Sequence, residues 1–216
     1  MKKEKIITII KILKKKYPST FFNRNSNEKE DSFYALISTV LSQRTRDEVT
    51  YPVAARLFKV LKTPKDFAGA DTKKIARLII GVGFYKTKAM RIKQISKILL
   101  EKYNGKVPDS EEKLLQLPGV GRKTANCVLV YGFRKNAIPV DTHVHRISNR
   151  LGVVKTKTPE QTETELVKII PKQHWIALNE LFVKHGQTVC RPINPRCEIC
   201  SIKKYCGCYQ MINKFK

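Results

Sequence analysis

The sequence predicts an all-α protein. Apolar residues recur at helical spacing through most of the chain, capping residues and glycines punctuate these stretches, and strand patterns are scarce. No segment repeats at a fixed period. At 216 residues the chain is long enough to bury a real core, in one large domain or two small ones.

The helices are placed by apolar spacing and by the residues at their termini. The first carries Ile6, Ile9, Ile10 and Leu13 on one face. The expected helices are Met1–Tyr17; Phe33–Leu41 after Asp31 or Ser32; Val49–Leu61, after a capping box of Thr45 and Glu48 and with a kink at Pro52; one from Asp71 or Thr72 to Gly81 and Gly83; Lys86–Tyr103, ended by Gly105; Ser110–Gln116; Arg122–Tyr131; Thr142–Leu151; one from Thr158-Pro159; and Trp175–Lys184, ended by Gly186. We expect Asn23–Asp31 and the last few residues to be flexible.

The charge of the chain indicates a polyanionic partner. Lys and Arg number 43 against 18 Asp and Glu, a formal net charge of +25, and such an excess works against compactness unless a partner neutralises it. Nucleic acid is the first interpretation and an anionic membrane surface the second. No apolar run approaches the roughly 20 residues of a membrane span, and the N-terminus lacks the features of a signal peptide. We therefore expect an intracellular protein whose six cysteines are not structural disulfides.

A glycine-rich turn lies between two of the expected helices, at Leu117-Pro118-Gly119-Val120-Gly121. Pro118 cannot continue the first helix, and both glycines permit backbone shapes that are closed to other residues. Backbone N–H groups of such a turn can approach an oxygen, and the next helix adds its N-terminal donors. The pattern fits a DNA phosphate, without sequence readout. A tight connection between two helices is the alternative.

Lys123 and Asp141 are the candidates for chemistry. Lys123 stands in the first turn of a helix, where the helix dipole disfavours its charged form, and partial desolvation would lower its pKa further. A neutral amine can attack an electrophilic carbon, although a solvated lysine beside phosphates is the plainer interpretation. Asp141 precedes Thr142–Leu151, so its plainer role is an N-cap. Capping and catalysis are compatible because a capped carboxylate keeps one orientation.

Four cysteines near the C-terminus indicate a metal site. Their spacing is C-x6-C-x2-C-x5-C, formed by Cys190, Cys197, Cys200 and Cys206. Thiolate ligands suit both zinc and an iron-sulfur cluster, and the spacing leaves both open. Cys208 is an alternative fourth ligand.

Two further groups are less informative. Cys127 is expected to be a small buried residue of the second hairpin helix. His143 and His145 are two positions apart on a helix, which makes them a poor metal pair, so phosphate contact or solvent exposure is expected of them.

These segments together resemble a known family. Leu117–Asn126 followed by Val140-Asp141-Thr142-His143 is similar to the helix-hairpin-helix and Gly/Pro-Asp signature of the endonuclease III family of DNA glycosylases. The similarity runs from about Ser32 through the terminal cysteines. It implies two helical domains, 23–134 with the hairpin and 1–22 plus 135–216 with the cysteines, and a catalytic cleft between them.

The resemblance also implies roles for the catalytic pair. The residue matching Lys123 attacks C1′ of the deoxyribose, displaces the damaged base and forms an imine, and the residue matching Asp141 assists. β-Elimination then breaks the 3′ phosphate bond. Relatives that stop after base removal lack the lysine, so Lys123 favours a bifunctional glycosylase and lyase. The implied substrates are oxidised or ring-damaged pyrimidines and abasic sites in double-stranded DNA.

A [4Fe-4S] cluster on Cys190, Cys197, Cys200 and Cys206 is implied in the same way. The cysteine spacing matches the cluster loop of the family, which favours Cys206 over Cys208 as the fourth ligand. The implied role is mainly structural, folding a basic loop with Arg191 that can meet the DNA backbone.

The DNA contacts follow from two segments and the hairpin. Leu41–Asp47 resembles the segment with a duplex-probing glutamine, and either Gln43 or Arg44 is in the position to insert. Gly83-Phe84-Tyr85 matches the wedge loop, although core packing is the alternative for both aromatics. The other expected DNA contacts are Gly119, Gly121, Arg122, Thr124, His143 and Arg191.

Two other functions fit part of the pattern. One is a monofunctional glycosylase acting on mismatched bases, against which Lys123 counts. The other is a non-catalytic iron-sulfur DNA-binding protein, which charge, hairpin and cysteines fit equally well. We expect a monomer in the cytoplasm or nucleoid of a prokaryote.

Overall fold

The all-α prediction is confirmed. The computed structural model describes residues 2–18 and 31–213, and this part consists of helices and connecting turns without a strand. The helices are α1 Lys2–Lys16, α2 Ser32–Ser42, α3 Asp47–Val60, α4 Pro64–Gly69, α5 Thr72–Leu78, α6 Tyr85–Tyr103, α7 Glu111–Leu115, α8 Arg122–Phe133, α9 Thr142–Arg150, α10 Pro159–Ile169, α11 Trp175–Thr188 and α12 Gly207–Asn213, with 3-10 turns at Lys172–His174 and Lys203–Tyr205. The expected flexible stretches lie outside the described residues, apart from Asp31.

The helices belong to two compact units. One unit is Lys29–Lys135 and contains α2 to α8; we call it the hairpin unit. The other combines Met1–Glu28 with Asn136–Lys216, contains α1 and α9 to α12, and is called the cysteine unit. The domain boundaries expected from the sequence stay a prediction. No helix in the described part of the chain is long and apolar enough to cross a bilayer.

The hairpin unit is organised by α2, which packs antiparallel on α8. At one end of the pair, a Cβ on Gly132 would lie 3.0 Å from the Cα of Ser32 and 3.3 Å from the Cβ of Ala35. At the other end, the Gln43 amide donates to the Thr124 hydroxyl at 3.2 Å. The end of α2 and the start of α8 therefore lie together. This arrangement places the turn after α2 beside the glycine-rich turn before α8.

Aromatic rings close the far end of the hairpin unit. Phe33 packs edge-on against Phe67, with centroids 5.2 Å apart, and against Phe58 at 5.9 Å. Phe67 is fully buried, which brings α4 onto the core. Burial of a side chain of this size contributes roughly 1.5–3 kcal/mol.

The core of the cysteine unit is built on the apolar face of α1. Ile6, Ile9, Ile10 and Leu13 are all 0% exposed, as their helical spacing predicted. They belong to one cluster with apolar residues of α9, α10 and α11, including Val144, Leu166, Leu178, Leu181 and Phe182. Lys5 adds a polar link, because its amine donates to the Leu151 carbonyl at the end of α9 at 2.6 Å. The N-terminal helix is thus a core element of this unit.

Two helix starts differ from the sequence prediction. The capping box of Thr45 and Glu48 is wrong: Arg46 is the N-cap of α3, and the Thr45 hydroxyl instead accepts from the Gly83 N–H at 3.0 Å. A capping box does occur at Thr63 and Asp66, where it begins the short helix α4 that we had not predicted. Helix α3 continues through Pro52.

The predicted end of α11 at Gly186 is also wrong. The helix runs to Thr188, and a Cβ on Gly186 would collide with the His143 ring on α9. This glycine therefore serves close packing of α9 on α11 and is not a helix terminator. A glycine in the sequence shows only that a side chain is absent. The packing shows whether a turn or a close contact requires that absence.

We expect Gly132→Ala to lower the free energy of unfolding by about 1–3 kcal/mol, the usual range for overpacking. The added methyl would meet the backbone of α2, which cannot move aside as a flexible side chain can. Gly69→Ala is the matched control, since nothing lies within 4 Å of that position, and it should leave stability unchanged or slightly raised. Denaturant unfolding of the two variants measures the difference. Equal stability of the two would contradict the close packing of α2 on α8.

Candidate active site

The glycine-rich turn combines two different backbones. Gly119 has φ +75°, in the left-handed region that favours glycine, and a Cβ there would lie 2.8 Å from Cδ of Arg91. Gly121 is the N-cap of α8 at φ −93°, with nothing within 4 Å of its Cβ position. Both glycines permit backbone shapes that are closed to other residues, but only Gly119 adopts one; at Gly121 the absence of a side chain leaves the N-terminus of α8 open.

Lys123 is the second residue of α8, directly after this turn, and it is exposed. Its neighbour Arg122 is also exposed and lies 3.4 Å from a Glu111 carboxylate oxygen of α7. Lys123 is therefore accessible to solvent at the start of α8, and the partial desolvation expected from the sequence stays a prediction. The side chains of Leu117 and Val120 are buried and anchor the turn in the core.

Asp141 is the N-cap of α9, as its position predicted. One carboxylate oxygen, Oδ1, accepts from the N–H of His143 at 2.9 Å and from the N–H of Val144 at 2.8 Å. The segment before it is held by Asn179, whose amide donates to the Pro139 carbonyl at 2.7 Å. Both capping bonds use Oδ1, so the side chain has one orientation while Oδ2 takes no part in the cap. Asp141 lies in the cysteine unit and Lys123 in the hairpin unit.

Gln43 and Thr124 are brought together by the fold. The Gln43 amide donates to the Gly119 carbonyl at 2.9 Å and to the Thr124 hydroxyl at 3.2 Å. Thr124 is only 5% exposed. Gln43 thus ties the end of α2 to the hairpin, and Thr124 has an internal partner.

Arg44 and Phe84 form an exposed pair at the surface of the hairpin unit. The Arg44 guanidinium lies 5.6 Å from the centroid of the Phe84 ring, within range of a cation–π contact. Phe84 is 63% exposed, so core packing does not account for it, whereas Tyr85 is half-buried. Both Arg44 and Phe84 have positive φ, 52° and 57°. Of the two candidates for insertion, the exposed one is Arg44.

Sequence analysis missed Lys88. It lies on the buried face of α6 with Ile92, Ile95 and Leu99, and it is 2% exposed. Burial, and to a smaller extent the positive charge of Arg91, lower the pKa of its amine to about 8. The signal was present in the sequence, because position 88 falls on the apolar stripe of the helix where a lysine is out of place.

Burial raises the thiol pKa of three cysteines of the cysteine unit, Cys197, Cys200 and Cys206, and charges on neighbouring cysteines act in the same direction. At Cys200 the charge effects that raise the pKa come from Cys190, Cys206 and Cys197, the other three members of the predicted set. At Cys206 the largest charge effect on the pKa comes from Cys208. Among the described residues, no group of three or more His, Cys, Asp or Glu side chains is arranged to hold a metal ion.

Donors surround the cysteine loop. Arg150 donates to the Cys190 sulfur at 3.5 Å and to the Arg191 carbonyl at 2.6 Å, and Arg146 donates to the Cys190 carbonyl at 2.9 Å. His185, which is 1% exposed, places Nε2 3.6 Å from the Cys200 sulfur. These donors suit a loop whose sulfurs carry negative charge, as metal-bound thiolates do.

His143 and Arg191 occupy different surroundings. The Nδ1 of His143 lies 3.0 Å from an Arg146 nitrogen, which can only donate, so Nδ1 accepts. His145 is engaged inside the unit, with Nδ1 2.6 Å from the Thr162 hydroxyl. Arg191 is exposed on the cysteine loop. Cys127 is buried in α8, as expected.

The chain matches known proteins in sequence and in structure. Residues 37–172 match the model of the HhH-GPD superfamily base excision DNA repair protein. The chain is 54% identical over 193 residues to Endonuclease III of Thermotoga maritima, covering 89% of this chain and 90% of that protein. It is 45% identical over 187 residues to Endonuclease III homolog 2, chloroplastic, of Arabidopsis thaliana, covering 82% of this chain and 48% of the relative.

The fold matches solved structures over nearly its full length. A trapped Endonuclease III-DNA covalent intermediate, an estranged-adenine complex, superposes with a TM-score of 0.87 at 33% identity, and 98% of each chain is covered. A non-covalent Endonuclease III-DNA complex matches with the same TM-score, identity and coverage. A thermostable thymine-DNA glycosylase at 23% identity and a TM-score of 0.82 shares the fold.

The comparisons confirm the resemblance seen in the sequence. This chain belongs to the endonuclease III family of base-excision-repair DNA glycosylases, within the HhH-GPD superfamily.

Proposed function

We propose that this protein excises oxidised or ring-damaged pyrimidines from double-stranded DNA and then cleaves the backbone, with Lys123 as the nucleophile. The observation that carries the proposal is the place of Lys123, exposed in the first turn of the helix that follows the glycine-rich hairpin. A covalent DNA intermediate trapped with an endonuclease III of the same fold supports a nucleophilic mechanism. The reaction belongs in the compartment that holds the DNA, which we expect to be the cytoplasm or nucleoid of a prokaryote.

The chemistry starts when the neutral amine of Lys123 attacks C1′ of the damaged nucleotide. The bond from C1′ to the base breaks, and the base leaves with the electron pair and takes up a proton. Opening of the sugar ring then gives an imine between C1′ and the Lys123 nitrogen. The imine makes the C2′ proton acidic; its removal and the breaking of the C3′–O bond release the 3′ phosphate, and water returns the lysine. An abasic site enters the same sequence without base departure.

Asp141 assists at the sugar. A carboxylate can stabilise positive charge developing at C1′ or accept the proton that the attacking amine loses. The cap on α9 supports this role, because both capping hydrogen bonds are made to Oδ1, which fixes the side chain, and neither is made to Oδ2. A lysine in tight contact with this carboxylate would keep its proton, so the two groups should act on one sugar without a close ion pair.

The hairpin and the turn after α2 would hold the duplex. The open N-terminus of α8 and the Gly119–Gly121 backbone offer donors for a phosphate without reading sequence. Arg122, His143 and Arg191 are proposed as further phosphate contacts. Extrusion of a nucleotide costs a few kcal/mol, and the exposed pair of Arg44 and Phe84 is suited to fill the gap. Gln43 supports the pair by tying its turn to the hairpin.

A [4Fe-4S] cluster is the proposed cofactor, held by Cys190, Cys197, Cys200 and Cys206. The donor set fits, since charges on the other three thiols act on Cys200, Arg150 donates to the Cys190 sulfur, and Nε2 of His185 lies 3.6 Å from the Cys200 sulfur. When bound, the cluster would crosslink the loop, which Ile202 already anchors in the core of the cysteine unit. Arg150 and Arg146 hold the loop backbone from the side of α9.

Lys123→Ala should abolish the covalent complex that borohydride traps between the wild-type protein and a duplex with one abasic site. The variant lacks the amine that forms the imine, while DNA binding should persist because the hairpin backbone remains. Lys113→Ala is the matched control, an exposed lysine of α7 before the hairpin, and it should trap as the wild type does. Denaturing electrophoresis of the trapped mixtures measures the outcome. Trapping by Lys123→Ala, or none by the wild type despite DNA binding, would disprove this mechanism.

Asp141→Asn should separate the chemistry from the cap. The asparagine oxygen can still accept from the two N–H groups, so the free energy of unfolding should change by less than about 0.5 kcal/mol, whereas Asp141→Ala should lose about 1 kcal/mol. Single-turnover base excision by Asp141→Asn should fall at least about a hundredfold, because the charge is gone. Asp71→Asn, which removes the charge of the cap of α5, should leave both quantities unchanged. Full activity of Asp141→Asn would show that the residue only caps.

Cys206→Ser should remove the cluster, whereas Cys208→Ser should retain it. The reason is the spacing, because Cys206 stands at the position of the fourth ligand in the C-x6-C-x2-C-x5-C pattern. Iron and sulfide content per chain, together with visible absorption, measures both variants. The reverse pattern would make Cys208 the fourth ligand, and iron-free wild type with bound zinc would rule out the cluster.

A further inference from the structure

Lys88 is a buried cation whose partners are all neutral. Its ammonium donates to the Leu41 carbonyl at 2.7 Å, to the Gln43 carbonyl at 2.5 Å and to the Thr45 hydroxyl at 3.1 Å. An ammonium group has three donors, and each has a partner here. The two carbonyls stand at the C-terminal end of α2, the negative end of the helix dipole, which favours a cation. Lys88 therefore fixes the turn that follows α2.

The same contacts reach a second turn through Thr45. Its hydroxyl oxygen also accepts from the Gly83 N–H at 3.0 Å. The two backbones touch at this point, since a Cβ on Gly83 would lie 3.0 Å from the Arg44 carbonyl oxygen. One buried amine thus joins Leu41–Thr45 to the turn before α6, and the two segments cannot move independently while its bonds are intact.

The segments so joined carry the exposed pair, and both members are strained. Arg44 and Phe84 have φ of 52° and 57°, in the left-handed region that is unfavourable for a residue with a side chain. Such a backbone persists only where the surrounding contacts hold it. The Lys88 bonds flank Arg44 on both sides, at Gln43 and at Thr45. Phe84 directly follows Gly83, which is linked to Lys88 through the hydroxyl of Thr45.

We propose that Lys88 is a positioning residue for opening the duplex: it locks the two turns together so that Arg44 and Phe84 meet DNA already stacked on each other. The inference rests on the proposed function, in which this pair fills the gap left by the extruded nucleotide. The pair is then already ordered in the free protein, so the free energy of DNA binding does not have to offset the conformational entropy lost on ordering it. Lys88 itself contacts no DNA in this proposal.

A purely stabilising role does not explain a lysine at this position. A buried charge is costly, and apolar side chains of similar size commonly replace buried ionic groups without loss of stability. The lowered pKa of Lys88 reflects that cost. An apolar residue at this buried position could not bind the two carbonyls and the hydroxyl that Lys88 holds.

The test compares Lys88→Met with Lys93→Met. Lys93 is a matched control, since it lies on the same helix and donates to a backbone carbonyl, that of Ala70, at 2.8 Å, away from both turns. Single-turnover base excision is measured on two duplexes, one with the lesion paired and one with the lesion opposite a base-free site, where no pair has to open. A 2-aminopurine beside the lesion reports extrusion. Thr45→Val, which removes the link to Gly83, is a second variant.

We expect Lys88→Met and Thr45→Val to excise the paired lesion about tenfold more slowly, the effect of roughly 1.4 kcal/mol. The 2-aminopurine signal should weaken in parallel, while the unpaired lesion and Lys93→Met stay within about twofold of wild type. Equal slowing on both duplexes, or no slowing in either variant, would overturn the proposal. Failure of the wild type to excise from either duplex would instead overturn the proposed function, and the role of Lys88 with it.

Discussion

The antiparallel packing of α2 on α8 is the constraint on which the hairpin unit depends. Gly132 lets the far ends of the two helices approach to backbone contact, and Gln43 bonds the near ends through Thr124. Because the helices are antiparallel, the C-terminus of one and the N-terminus of the other share an edge. Lys123, the glycine-rich turn and the turn with Arg44 all emerge at that edge. A shift of α8 along α2 would change the position of Lys123 relative to Arg44.

Several polar side chains bind the backbone of turns and helix ends. Lys88 binds two carbonyls of one turn, Asp141 binds two N–H groups of α9, and Arg150 binds carbonyls of the cysteine loop. Lys88 is the buried member of this set, and because a buried donor or acceptor left unpaired costs about 1–3 kcal/mol, it favours one backbone shape of the turn over its alternatives. In a chain of net charge +25, this use of charge differs from that of the exposed lysines and arginines, which are available to a polyanion. The same type of residue thus serves two functions, separated by burial.

Much of the fold was predictable because its signals are local. The apolar stripe of α1 and the caps at Asp31, Asp71, Asp141 and Thr158 each depend on a few consecutive residues, and each is found as expected. The wrong predictions concern residues that fit a local sequence pattern but contact a residue far away in the chain. Thr45 has capping-box spacing, but its hydroxyl binds Gly83, and Gly186 has the look of a terminator but lies against His143. The sequence analysis missed helix α4, although Thr63, Pro64 and Asp66 form a recognisable helix N-terminus.

The sequence by itself determined the helical class, the hairpin, the candidate pair Lys123 and Asp141, and the set of cysteines, because each rests on residue type and short spacing. Only the tertiary structure decided which of Gln43 and Arg44 is exposed, that Phe84 stacks with Arg44 at the surface, and that Lys88 joins two turns more than 35 residues apart in the chain. The physical reason is that burial and hydrogen-bond partners come from packing between distant segments. The sequence does not show which of the adjacent residues Gln43 and Arg44 is exposed, whereas the fold engages the Gln43 amide with the Gly119 carbonyl and leaves Arg44 at the surface.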